Sequence, residues 1–146
     1  MLLSTPRGLA EHMLRCVLTA LFLHAALHWA ASRGREQMVE YLLANKADAT
    51  IVTEDSWSPV HDAARAGSEK CLRMLKEAGA NMVLKTGNGS TPLHYAAQYD
   101  KIDVVKYLLN LDSDSAEGTG IVDVANSTGQ VNVRCFFAVA GQRQMY

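Results

Sequence analysis

Thr91-Pro92-Leu93-His94-Tyr95-Ala96-Ala97 has a near copy 33 residues upstream, Ser58-Pro59-Val60-His61-Asp62-Ala63-Ala64. A looser copy, Ala25-Ala26-Leu27-His28-Trp29-Ala30-Ala31, lies another 33 residues before that. A fixed period of this size marks a supersecondary unit stacked on itself. The register continues downstream. Gly34 matches Gly67, Leu42-Leu43 matches Leu108-Leu109 with Leu75 between, and Ala47-Asp48 matches Ala80-Asn81 and Ser113-Asp114.

Elementary chemistry accounts for these choices. Proline at the first helical position gives up no hydrogen bond, because that amide has no partner inside the helix, and Ser58 or Thr91 before it can cap. Each unit should therefore open with a turn and a short helix. The alanine pairs on that helix are small enough to let the next unit approach, and larger side chains there would clash. A second helix follows, with apolar residues at intervals of three and four: Met38, Val39, Leu42 and Leu43 in the first copy, Val104, Val105, Leu108 and Leu109 in the third. Gly79 can end it in the left-handed conformation, a role that falls to Lys46 and Asp112 at the matching positions.

Thr91-Pro92-Leu93-His94 is the signature of the ankyrin repeat, and over residues 25 to 115 the chain resembles that family. The resemblance implies an all-α solenoid of three helix-turn-helix repeats (25–57, 58–90, 91–115), each a β-turn followed by two antiparallel helices. It also implies that His28, His61 and His94 are structural, each imidazole hydrogen-bonding the adjoining turn.

The ends of the chain leave the register. Residues 1–24 contain an amphipathic pattern (Leu9, Met13, Leu14, Val17, Leu18, Leu21), read as a helix that caps the stack. The apolar run from Cys16 to Ala31 follows Arg7 and Arg15, as in a targeting segment. However, it holds His24 and His28, is shorter than a membrane span of about 20 residues, and runs into the first repeat. A fourth motif would centre on position 127, where the sequence is Ala125-Asn126-Ser127-Thr128. Residues 116–146 are therefore an irregular tail, either a hairpin or disordered. Its Cys135-Phe136-Phe137 cluster is the candidate cover for Met74, Leu108 and Leu111.

With a formal net charge of −1 and charges of both signs interspersed, the chain offers no basic stripe for nucleic acid or an anionic membrane. Three cysteines without a C-x-x-C pair suit a reducing compartment, so the expected location is cytoplasmic or nuclear. The oligomeric state expected is a monomer.

Sites for chemistry are not evident. His24 and His28 have the i, i+4 spacing of zinc ligands but lack the glutamate of H-E-x-x-H and a third ligand, so no metal is expected. Gly87-Asn88-Gly89 has neither the lysine nor the third glycine of a phosphate loop and falls where the repeat makes its turn. No nucleophile has an evident base beside it, so neither catalysis nor a cofactor is expected.

Function is better sought on the turn tips and the exposed side of the inner helices, which form the concave binding surface of ankyrin stacks. Mapped by register, these positions are Trp29, Ser32 and Arg33, then Glu54, Asp55, Trp57, Asp62 and Arg65, then Asn88, Ser90, Tyr95, Gln98 and Tyr99. Tryptophan, tyrosine and arginine are the types enriched at binding hot spots. Within the family, the order of the three motifs, with both tryptophans, resembles the gankyrin-like proteasome assembly chaperones. That resemblance implies a proteasomal ATPase subunit as partner, met by Trp29, Trp57 and Glu54. The alternative reading is a truncated or variant ankyrin fragment with a structural role or no independent one.

Overall fold

A computed structural model describes residues 6–114, and among them there are six α-helices and no strand. These are α1 (Pro6–Ser32), α2 (Glu36–Ala44), α3 (Pro59–Ala66), α4 (Glu69–Glu77), α5 (Pro92–Gln98) and α6 (Ile102–Asp114). The helices pair as α1 with α2, α3 with α4 and α5 with α6. The inner helices stack in the order α1, α3, α5 and the outer ones in the order α2, α4, α6. The all-α solenoid of three repeats is thus the fold. The tail, 116–146, lies outside the described residues, and with it the proposed cover by Cys135-Phe136-Phe137; of the residues to be covered, Leu108 is buried and Met74 and Leu111 partly so.

Each hairpin closes with the same backbone bond, from Arg35 N to Ala30 O, Ser68 N to Ala63 O and Lys101 N to Ala96 O, at 2.9, 3.2 and 2.8 Å. The tight turn behind that bond needs a left-handed residue, and Gly34, Gly67 and Asp100 supply it at φ of 62°, 81° and 56°. Two further left-handed pairs repeat at the same interval, Lys46 with Gly79 after the outer helix and Ser56 with Gly89 in the turns. Position 112 breaks the series. There α6 continues to Asp114, so the helix end expected at Asp112 is absent, in keeping with the loss of the repeat beyond Ser115.

Gly67 is the most constrained of these residues, since a Cβ there would sit 2.6 Å from Lys101 Cδ besides straining the backbone. Gly67→Ala should cost about 1–2 kcal/mol, because the lysine can swing aside but the left-handed φ remains. A shift in the urea midpoint at unchanged m value would measure it.

The core is one layer of small residues and one of large. Ala30, Ala31, Ala63, Ala64 and Ala96 are fully buried on the inner helices, and Val39, Leu72, Leu75 and Val104 on the outer ones. The alanines let consecutive inner helices pack closely, while the branched side chains fill the wider gap between outer helices.

The beginning of the chain differs from the expectation. No break separates residue 24 from 25: α1 runs through both as a single helix of 27 residues, whereas α3 has 8 and α5 has 7. Ala25-Ala26 explains the difference, because without proline and a capping hydroxyl nothing stops the helix from extending backwards. The portion expected to cap the stack does not cover it, since Met13, Leu14, Val17, Leu18, Leu21 and Phe22 are all exposed. The apolar stretch is also longer than its sequence boundaries indicated. Ala10–Ser32 has the length and composition to cross a membrane, although its last third, with Leu27, Ala30 and Ala31, is core of the first repeat.

Candidate functional site

Two turns project from the stack ahead of α3 and α5. The first closes through Thr53 N to Trp57 O and Ser56 N to Thr53 O, both 2.9 Å, and the second through Thr86 N to Ser90 O and Gly89 N to Thr86 O at 2.9 and 2.8 Å. Gly87 N bonds Asp55 O at 2.8 Å and so ties one tip to the next. Glu54, Asp55 and Asn88 are exposed on these tips, as the register required. Asn88 is partly committed to the turn, because its Oδ1 accepts from Thr86 Oγ1 and from Ser90 N at 3.0 Å.

His61 anchors the turn to the helix behind it. Ser58 N donates to His61 Nδ1 at 3.2 Å and Ser58 Oγ lies 2.9 Å from the same nitrogen, so Nδ1 carries no proton. Nε2–H therefore donates to Leu84 O at 3.0 Å, in the segment leading to the next turn. Burial drives the imidazole pKa down from 6.5 to about 4, against the opposing pull of the Leu84 carbonyl. His94 repeats the first half of this arrangement with Thr91, at 3.1 Å to N and 2.9 Å to Oγ1.

His28 does not. Its helix has no start at residue 25, so there is neither a free amide nor a hydroxyl for Nδ1 to meet, and the ring instead bonds Asp62 Oδ2 in the next repeat at 2.8 Å. This bond also corrects the placement of Asp62. The carboxylate is 6% exposed rather than part of an open surface, held between His28 and, at 3.6 Å, Arg65.

Three of the residues expected to recognise a partner come together around His61. The Trp57 ring meets Tyr95 edge-on at 4.6 Å between centroids and His61 at 5.3 Å, and the Arg65 guanidinium lies over the indole at 5.8 Å. Trp57, Tyr95 and Arg65 are each half-exposed, so the cluster has a packed floor and an open top. Two inner helices and one turn fix it in place, which keeps the ordering cost of binding low. Gln98 and Tyr99 are exposed at the far end of α5. Trp29 stands apart, 54% exposed with Arg33 against its ring at 5.7 Å, in a groove shared with Met38 and Tyr41 at the open first end of the stack. Sequence periodicity does not reveal the groove, because Met38 belongs to the outer-helix stripe that spacing assigns to the core, yet among the described residues it is 45% exposed. No group of three metal-ligating side chains occurs among the described residues.

The family model described as ankyrin repeats (3 copies) matches the chain over residues 9–86 and again over 27–119. Among solved structures, the chain is similar to the human ASB11 ankyrin repeat domain at 33% identity and a TM-score of 0.56. That match covers 57% of this chain and 38% of the solved one, so the chain spans well under half of that domain. No curated protein matches the sequence.

Proposed function

Since the chain belongs to the ankyrin-repeat family, whose repeats generally mediate protein–protein interaction, we propose that it acts by binding a partner protein through its turn tips and inner helices. The observation that carries this reading is the cluster of Trp57, Tyr95 and Arg65. A half-exposed indole between an aromatic edge and a guanidinium has the composition of a hot spot. Glu54 and Asp55 on the neighbouring tip form an acidic rim, which would favour a partner with lysine or arginine opposite and act mainly on association rate and specificity. Binding is the whole of the activity in this reading, exercised in the cytoplasm or nucleus.

The finer proposal is a proteasome regulatory-particle assembly chaperone whose partner is a proteasomal ATPase subunit. Its support is the order of the three motifs with Trp29, Trp57 and Glu54 in place. The exposed Trp29 groove would serve as a second contact beyond the Trp57 cluster.

The test is capture of partners from lysate by the full chain and by Trp57→Ala, followed by titration calorimetry with the carboxy-terminal domain of the captured ATPase. Trp57→Ala should weaken binding roughly 30-fold, a hot-spot effect, with the helical melt still cooperative. Affinity and thermal stability falling in equal measure would contradict the binding role of Trp57. A wild-type chain that captures nothing would favour a fragment without a partner of its own.

A further inference from the structure

One side of α1 is apolar and exposed. Met13, Leu14, Val17, Leu18, Leu21 and Phe22 are between 45% and 75% exposed, and at about 100° per residue they occupy an arc of about 180° on one side of the helix. The opposite side carries His12, Arg15 and Thr19 and faces Asn45 and Lys46. The six apolar residues map onto each other when the helix is reversed about the point between Val17 and Leu18. Met13 then falls opposite Phe22, Leu14 opposite Leu21 and Val17 opposite Leu18. An isologous dimer requires a patch that is complementary to itself under such a reversal. A single facing helix covers only part of such an arc, so the pair falls below the roughly 1,200 Å² of standard interfaces and into the class of weaker, concentration-dependent ones.

We propose that the chain forms a homodimer through antiparallel pairing of α1 helices, in place of the monomer expected from sequence. A lipid bilayer fits the same helix less well. Spanning would withdraw Leu27, Ala30 and Ala31 from the core, and residues 10–22 alone reach only about 20 Å against the roughly 30 Å of a hydrocarbon layer. Lying flat on a membrane calls for a strongly cationic polar side, whereas here Arg15 and His12 are accompanied by Glu11.

Sedimentation equilibrium of the full chain decides the matter. The expected mass approaches twice the 15.9 kDa of one chain as concentration rises. Leu14→Lys and Leu21→Glu should each raise the dissociation constant at least roughly 100-fold, since each places an unpaired charge at the centre of the pair. Circular dichroism would verify that α1 persists in these variants, whose side chains make no core contact. Both substitutions in one chain should restore the dimer, because antiparallel pairing sets the introduced lysine of one copy against the introduced glutamate of the other. A wild-type monomer overturns the proposal, as does a monomer that binds vesicles of phosphatidylcholine and phosphatidylserine, which would assign the face to lipid. Single variants that remain dimeric, or a double variant that remains monomeric, overturn it too.

Discussion

His61→Ala is expected to destabilise the fold by about 3–4 kcal/mol, the largest loss from any single polar side chain here. Two groups lose their partners at once, the buried Ser58 amide at the start of α3 and the half-buried Leu84 carbonyl ahead of the next turn. The ring is itself fully buried and supports Trp57 and Tyr95 from beneath, so a void adds to the cost. The same side chain should make stability depend on acid. Its folded pKa of about 4 lies below the ordinary 6.5, so as pH falls the unfolded chain takes up the proton first. The contribution is complete above pH 6.5, declines from there to about pH 4, and amounts to about 3 kcal/mol at most. Urea unfolding at pH 7.5, 5.5 and 4.5 would show a loss in the wild type that His61→Ala lacks. A variant that melts within 1 kcal/mol of the wild type would mean that the imidazole does not hold the turn.

Leu72→Ala is expected to cost a further large amount, about 3–4 kcal/mol, and to do so for the whole stack. Leu72 is fully buried on α4, the middle outer helix, which packs on both α2 and α6. In a linear stack, stability is close to a sum of unit terms and neighbour terms, and a central defect weakens two neighbour terms where a terminal one weakens one. Removing three carbons here should therefore lower the melting temperature more than Leu42→Ala, whose residue is also buried but whose layer has a neighbour on one side only. Equal shifts for the two variants would refute stacking as the source of stability.

How far the sequence could be read follows from which interactions repeat. His61, the alanine pairs, the outer-helix stripe and the left-handed Gly67 each serve a bond made once per unit, so spacing alone exposes them. Interactions made once in the molecule leave no such trace. The His28–Asp62 bond joins residues 34 apart and does not recur, so register alone places Asp62 on the open surface. A signal did exist. Copies one and three carry an aromatic residue at that position, Trp29 and Tyr95, and the single acid stands next to the single histidine lacking a Ser-Pro or Thr-Pro turn to engage it. The length of α1 was legible in the same way, because Ala25-Ala26 removes the start signal that the other copies possess. Of the candidate surface, register located the tips and the inner-helix positions. It could not tell that Trp57, Tyr95 and Arg65 converge while Trp29 stands apart, since that depends on ring orientations set by packing.

The backbone bond from Gly87 to Asp55 has a bearing on how such a surface can change. It uses an amide and a carbonyl and no side chain, so the separation between neighbouring loops is set independently of what those loops display. Glu54 and Asp55 can be rewritten with the spacing preserved, whereas Asn88, whose Oδ1 closes its turn, and the left-handed positions of Ser56 and Gly89, where glycine is the least strained choice, are held by the architecture. Specificity and architecture are thereby inherited separately, and a library randomised at the displayed positions should retain its scaffold while acquiring new addresses.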